Sequence, residues 1–72
     1  MAHFAKIDAY NTVTWVVVVP NEEEHRGEEF LNNMGLTGKW IQTSYNGNIR
    51  GKFASIGDIY DEVNDIFTHP NE

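Results

Sequence analysis

The sequence predicts a β-rich α+β fold, a small antiparallel sheet or partly closed barrel with one helix. Three observations support this prediction: an Asn-Gly dipeptide at 46–47 between two runs rich in aromatic and β-branched residues, a valine-rich run that stops at a proline, and a glutamate-rich segment with helical spacing. We expect the element order β-β-α-β-β plus a short C-terminal hairpin, in a single domain that spans residues 1–72.

Residues 3–19 are predicted to form the first antiparallel hairpin. Apolar side chains alternate well enough over 3–8 for a strand, and the polar stretch 8–11 follows as a short loop. The segment 12–19 reads Thr-Val-Thr-Trp-Val-Val-Val-Val, which has the strongest strand propensity in the chain. This strand should end before Pro20, because proline cannot donate a ladder hydrogen bond.

The end of this second strand is apolar on both of its faces. The residues concerned are Trp15, Val16, Val17, Val18 and Val19. Such continuous runs are typical of strands that are covered on both sides. We expect the chain to cover one face readily from within. The second cover comes either from within the chain, for example by closure of the sheet into a barrel, or from a second subunit. The run is therefore a candidate homo-oligomer interface.

A helix is predicted at about residues 22–34. Asn21 is suited to the N-cap position, and Glu24 three residues later completes an approximate capping box. Gly27 should weaken the middle of the helix, and Gly35 is suited to the left-handed position after its end. The predicted apolar stripe consists of Phe30, Leu31 and Met34.

Residues 39–53 are predicted to form a central hairpin around a two-residue type I′ turn at Asn46-Gly47. With this turn, Trp40 faces Phe53 across the ladder and sets its register. The C-terminal segment then offers two short strands, at about 59–62 and 64–68, or alternatively one short helix from Asp58. We favour the strands, because the segment is rich in β-forming residues. Residues 69–72 should form a polar tail.

Composition narrows the possible function classes. There is no cysteine, which excludes disulfides and cysteine nucleophiles, and the net charge of -6 disfavours nucleic-acid binding. No apolar run approaches the roughly 20 residues that span a bilayer, and the start of the chain resembles no signal peptide. We therefore expect no membrane partner and a protein that stays in the compartment where it is made.

Several segments together resemble a family of small proteins of marine bacteriophages, especially those that infect cyanobacteria. The matching segments are Met-Ala-His-Phe-Ala-Lys-Ile-Asp at 1–8, Trp-Ile-Gln-Thr-Ser-Tyr-Asn-Gly-Asn-Ile-Arg at 40–50, Tyr-Asp-Glu at 60–62 and Asp-Ile-Phe at 65–67. Family members are mostly uncharacterised or are labelled as phage structural proteins. The resemblance implies a location in the virion or the host cytoplasm and phage or host proteins as partners. Many members continue beyond the equivalent of Phe67 into an extension rich in proline and aromatic residues.

The titratable clusters in the sequence predict neither catalysis nor a metal or cofactor site. The three histidines, His3, His25 and His69, do not have the spacing of a local ligand pair. The acidic group Asp58, Asp61, Glu62 and Asp65 lacks the glycine and terminal glutamate of a calcium loop, and we interpret it as a solvated turn. The glutamates of the helical segment are interpreted as its solvated face.

The expected function is therefore a non-enzymatic structural, assembly or interaction protein, homo-oligomeric through residues 15–19. The alternative is a small binding module for a ligand or a host protein. It would use a cleft beside the helix, or a sheet face that combines Tyr45, Arg50 and Lys52. That face is the one basic and aromatic combination in the chain, and single-stranded bases could stack on it.

Overall fold

The computed structural model describes residues 1–70, and it confirms the α+β, β-rich class. A three-stranded antiparallel sheet has the order β2-β1-β3, and a separate pair of strands forms a second sheet, β4-β5. The strands are β1 Ala2–Ile7, β2 Val13–Val19, β3 Lys39–Thr43, β4 Ile59–Asp61 and β5 Ile66–Thr68. The larger sheet is open, so the alternative of a partly closed barrel does not apply. The last two residues of the predicted polar tail lie outside the described residues.

The first hairpin forms as predicted. β1 pairs with β2 from Ala2 opposite Val19 to Ile7 opposite Val13, with a bulge in the ladder next to Lys6. The Asp8 carboxylate closes the connecting loop by accepting the backbone N–H groups of two residues on its far side, at 2.8 and 3.0 Å. This is the local turn chemistry that makes aspartate common in such loops.

The helical segment starts differently from the prediction. It begins with a 3₁₀ helix, Asn21–Arg26, and continues as α1, Gly27–Asn33. Asn21 does not cap it, since neither part has a side-chain cap hydrogen bond. The C-terminal prediction is confirmed: Gly35 has a φ of 90°, and the N–H of Leu36 donates to the carbonyl of Leu31 at 3.0 Å. Met34 is exposed, so it does not belong to the apolar stripe.

The three-stranded sheet is covered on both faces from within the chain. Side chains alternate along β1, and each face has its own core cluster. The cluster under the helix consists of Ala2, Phe4, Val19, Leu31 and Trp40. The cluster on the opposite face consists of Ala5, Ile7, Val13, Ala54, Tyr60 and Phe67. The second cover comes from within the chain, which was one of the two alternatives. It is provided by the C-terminal hairpin and the segment before it, and not by closure of the sheet.

The predicted central hairpin does not form. β3 pairs with β1, from His3 opposite Thr43 to Ile7 opposite Lys39, and residues 48–53 are not a strand. Positive φ values at Arg50 (57°) and Gly51 (86°) interrupt the extended backbone that a second strand would need. β3 pairs with β1 instead, because in this pairing its side chains contact both core clusters.

The turn and the aromatic pair of that hairpin also differ from the prediction. The N–H of Gly47 donates to the carbonyl of Ser44 at 3.0 Å, so Tyr45 and Asn46 are the central residues of the turn. Trp40 belongs to the cluster under the helix, whereas the ring centroid of Phe53 lies 5.4 Å from that of His3. Trp40 and Phe53 are therefore not cross-strand partners.

The C-terminal hairpin forms as predicted, and the helical alternative is excluded. β4 and β5 pair antiparallel, with Ile59 opposite Thr68. In the connecting turn the Asp61 carboxylate accepts the N–H groups of Val63 and Asn64, at 3.1 and 3.2 Å. Hydrogen bonds from Asn64 lower the pKa of Asp61.

Candidate functional site

β2 is an edge strand with a free outer side over most of its length. Its inner side pairs with β1, and no other strand among residues 1–70 pairs with the segment 15–19. Within residues 1–70, contacts occupy only the start of β2 on the outer side: Gly57 N–H donates to the Val13 carbonyl and Val13 N–H to the Asp58 carbonyl, each at 2.8 Å. The unpaired backbone is thus bounded by this loop contact at one end and by the proline at 20 at the other.

The side chains of this open edge are apolar, and two of them are exposed. Trp15 is 45% and Val18 49% exposed, and the strand register places them on opposite faces of the sheet. Val16 and Val17 are half-buried against the two core clusters, and Val19 is fully buried. Part of the predicted interface run therefore serves the core. The run presents three features to solvent: its unpaired backbone edge and the side chains of Trp15 and Val18.

The opposite edge of the sheet is blocked by charged side chains. On β3, the Glu28 carboxylate accepts the backbone N–H of Trp40 at 2.9 Å. The Arg50 guanidinium donates to the backbone carbonyl of Gln42 at 3.0 Å. An added strand would need these backbone groups for its own hydrogen bonds. At Trp40 and Gln42, β3 is therefore not available to pair with another strand. The sheet consequently has one blocked edge and one open edge.

Arg50, a predicted binding residue, holds the C-terminal hairpin to the sheet. Besides its bond to the Gln42 carbonyl, its guanidinium contacts the Asp65 carboxylate at 2.8 Å. The Tyr60 hydroxyl donates to the same carboxylate at 2.5 Å. The hydrogen bonds from Tyr60 and then from Arg50 lower the pKa of Asp65, while the contact with Asp65 and then burial raise the pKa of Tyr60.

Lys52, the second predicted cation, forms an ion pair with a buried carboxylate. Its Nζ lies 2.7 Å from Oδ2 of Asp58, which is 1% exposed, and the N–H of Ser55 donates to the same oxygen at 2.9 Å. Oδ1 of Asp58 is buried without a hydrogen-bond partner among the described residues. The interpretation of the acidic group as a solvated turn is therefore wrong for Asp58.

Tyr45, the third predicted binding residue, lies at an exposed turn beside a cleft. The cleft has a volume of about 200 Å³ and lies between the start of β1, the end of β3 and the 3₁₀ helix. Its polar lining residues are His3, Glu24, Gln42, Thr43, Ser44, Tyr45 and Asn46. The Glu24 carboxylate accepts a hydrogen bond from the Gln42 amide at 2.7 Å, and the Tyr45 ring centroid is 6.3 Å from that of His3. Arg50 and Lys52 do not line this cleft, because the hairpin that would have aligned the three residues does not form.

The described part of the chain shows neither a metal-binding cluster nor a membrane-spanning helix. Residues 1–70 contain no group of three or more histidine, aspartate or glutamate side chains arranged to hold a metal ion. No helix within the same range is long and apolar enough to cross a membrane. Comparison with protein-family models, curated proteins and solved structures finds no match to this chain.

The asymmetry between the two sheet edges was not accessible to sequence reasoning. Glu28 and Arg50 block an edge only because β3 pairs with β1 and turns its other side toward them. The local signal, an Asn-Gly turn between two β-rich runs, indicated a different partner for β3. The apolar run of β2 was the signal that could be found, and it does mark the open edge.

Proposed function

We propose that the protein is a non-enzymatic interaction module that self-associates by strand addition at the open edge of β2. The observation that supports this proposal is the unpaired, uncharged backbone of residues 15–19 on one side of a sheet whose other side is blocked. An edge strand presents a row of N–H and C=O groups that pair readily with another extended chain. Pairing would also remove the exposed parts of Trp15 and Val18 from water.

β2 lacks the features with which proteins usually protect an edge. Lysine, proline and inward-pointing charges are the common devices, and bulges or short strands also serve. Between Val13 and Val19 there are only threonine, tryptophan and valine, and the bulge beside Lys6 lies at one end of the strand. The contrast with β3, which is capped by two charged side chains, favours an edge that is kept open for a partner.

Replacing Val18 by lysine should dissociate the assembly without unfolding the protein. Val18 is 49% exposed, so the ammonium stays in water in the free chain, whereas pairing would bring two such charges to the interface. We expect wild-type mass above that of the monomer in light scattering over a wide concentration range, and monomer mass for V18K. Val16 and Val17 are unsuitable for this test, since a charge there would enter a core cluster.

Val63→Lys is the matched control. Val63 is 92% exposed in the turn between β4 and β5, and the substitution changes the net charge by the same amount. The control should keep the wild-type mass. A wild-type protein that remains monomeric at high concentration would contradict self-association, as would V18K and V63K variants of equal, undiminished mass.

The resemblance to proteins of marine bacteriophages suggests where such a module acts. We propose an assembly or interaction role in a phage, in the virion or the host cytoplasm, with phage or host proteins as further partners. The resemblance and the open β2 edge support this role together. Mass spectrometry of purified particles of a phage that encodes the protein tests it: presence at fixed stoichiometry supports a virion component, and absence restricts the role to the infected cell.

A second candidate function is the binding of a small polar ligand in the cleft beside the 3₁₀ helix. The polar residues that line this cleft include hydrogen-bond donors and acceptors that a small polar ligand could use. In NMR titrations with a panel of small polar metabolites, a ligand should shift the amides of His3 and Tyr45, and Tyr45→Ala should weaken binding at least about tenfold. Tyr10→Ala is the control, because Tyr10 is 84% exposed and does not line the cleft. Equal binding by both variants would exclude the cleft.

A further inference from the structure

We infer that the assembly is a closed two-fold dimer in which two β2 strands pair antiparallel, with Val17 of each chain opposite its symmetry mate. This inference rests on the self-association proposed above and specifies its symmetry and register. It follows from three features of the structure: the blocked edge of β3, the two limits of the free stretch on β2, and the alternation of side chains along that stretch.

Because the edge of β3 is blocked, the assembly is expected to close as a dimer and not to grow as a filament. An open sheet with two free edges can pair β2 of one copy with β3 of the next, and this head-to-tail contact repeats without end as a filament. Here the Glu28 carboxylate and the Arg50 guanidinium occupy backbone groups of Trp40 and Gln42. The free edge of β2 is then left to pair with the same edge of a second copy. Such a contact uses both free edges at once and ends the assembly at two chains.

The limits of the free edge determine its length. At the N-terminal end, the loop at 57–58 is hydrogen-bonded to both backbone groups of Val13. At the C-terminal end, Pro20 has no N–H to donate. The bulge beside Lys6 further disturbs the strand next to Val13. A partner strand therefore has the stretch from Trp15 to Val19 available for regular pairing.

Alternation then determines the register. A two-fold axis perpendicular to the sheet keeps equivalent faces on the same side, so each residue pairs with one that points to its own face. Trp15, Val17 and Val19 point to the helix side, and Val16 and Val18 to the other side. If all five residues of the stretch 15–19 pair, the two-fold axis passes next to the middle residue, Val17. Trp15 then lies opposite Val19 of the partner subunit, and Val16 opposite Val18 of the partner subunit.

This register also matches the charge distribution. The paired stretch carries no charge, so no like charges lie opposite each other within the ladder. The acidic segment of the 3₁₀ helix follows Pro20 and remains outside the pairing. The two exposed residues of the stretch 15–19, Trp15 and Val18, both enter the interface. The net charge of -6 on each chain should make association stronger at higher ionic strength.

Disulfide trapping tests the register, and the chain contains no native cysteine to interfere. Directly opposed residues in an antiparallel ladder have Cα atoms about 4.5–5.5 Å apart, which is within the roughly 4.4–6.8 Å that a disulfide spans. Val17→Cys should therefore form a covalent dimer under mild oxidation, as seen on a non-reducing gel. Val16→Cys alone should not, because its symmetry mate is displaced by two residues, about 7 Å along the strand. A mixture of V16C and V18C should give the cross-linked dimer that V16C alone does not.

The outcomes separate the register from the self-association itself. A dimer by light scattering in which V16C cross-links alone, and V17C does not, would overturn the register and leave self-association in place. A mass that keeps rising with concentration beyond two chains would overturn closure. A wild-type monomer at all concentrations would remove the proposed function and this inference together. If V17C does not fold, as judged by its circular dichroism, the V16C and V18C mixture decides the register.

Discussion

Replacing Lys52 by alanine is expected to lower the free energy of unfolding by about 3 kcal/mol, the lower end of the range for breaking a buried ion pair. The substitution leaves the Asp58 carboxylate, which is 1% exposed, without its counter-ion, and its Oδ1 already lacks a partner among the described residues. The lower end applies because the Lys52 side chain is 34% exposed. Urea unfolding followed by circular dichroism measures the loss.

Two variants show whether the loss comes from an unpaired buried charge. Lys39→Ala removes a lysine whose pair with Glu62 is long, at 3.5 Å, and exposed, so it should cost no more than about 1 kcal/mol. The double variant Lys52→Met with Asp58→Leu should recover much of the loss of K52A, since no unpaired charge remains. Equal stability of K52A and K39A would show that loss of the Lys52 counter-ion carries no extra cost for the buried Asp58 carboxylate.

Replacing Gly27 by alanine is expected to destabilise the protein, although alanine is the better helix former. In an open helix interior this change would stabilise by up to about 1 kcal/mol. Here a Cβ atom at position 27 would overlap the buried Phe4 ring, most closely at its Cζ atom. The ring or α1 must move, and such overpacking costs about 1–3 kcal/mol. The midpoint of thermal unfolding should therefore fall.

The steric origin of this effect can be tested by shortening Phe4. In a Phe4→Leu background the added methyl group has room, so Gly27→Ala should cost much less there, or should stabilise. The coupling between the two substitutions, measured in a double-mutant cycle, should be favourable. A cost of Gly27→Ala that is the same in both backgrounds would exclude the contact with Phe4 as its cause.

The elements that the sequence predicted correctly are those set by local interactions. The first hairpin depends on strand propensity and on Asp8, which bonds two nearby backbone N–H groups. The end of the helical segment depends on the left-handed conformation of Gly35. The last hairpin depends on Asp61, which holds its own turn. In each case, the residues that define the element lie within a few positions of each other.

The central hairpin does not form because its first predicted strand, 39–43, has a better partner in β1. Local signals at Asn46-Gly47 favoured pairing of 39–43 with 48–53, and they contain no information about β1. In the folded chain, β3 gains a ladder with β1 and contributes to both core clusters. The rejected segment is then held by side chains, chiefly through Arg50 and Lys52.

The same distinction holds for the candidate site. Composition and periodicity were enough to single out residues 15–19 as apolar on both faces, because burial follows from side-chain chemistry. Which parts of that run face the core and which face water depends on strand order. The local sequence does not reveal that order, because β2 carries none of the residues that usually protect an edge strand. The contacts that block the edge of β3 and the ion pair between Arg50 and Asp65 join residues 8 to 15 positions apart. Lys52 and Asp58 are only 6 positions apart, but the rest of the fold buries Asp58. Contacts of this kind arise only when the whole chain has packed, so the open edge of β2 is a property of the tertiary structure.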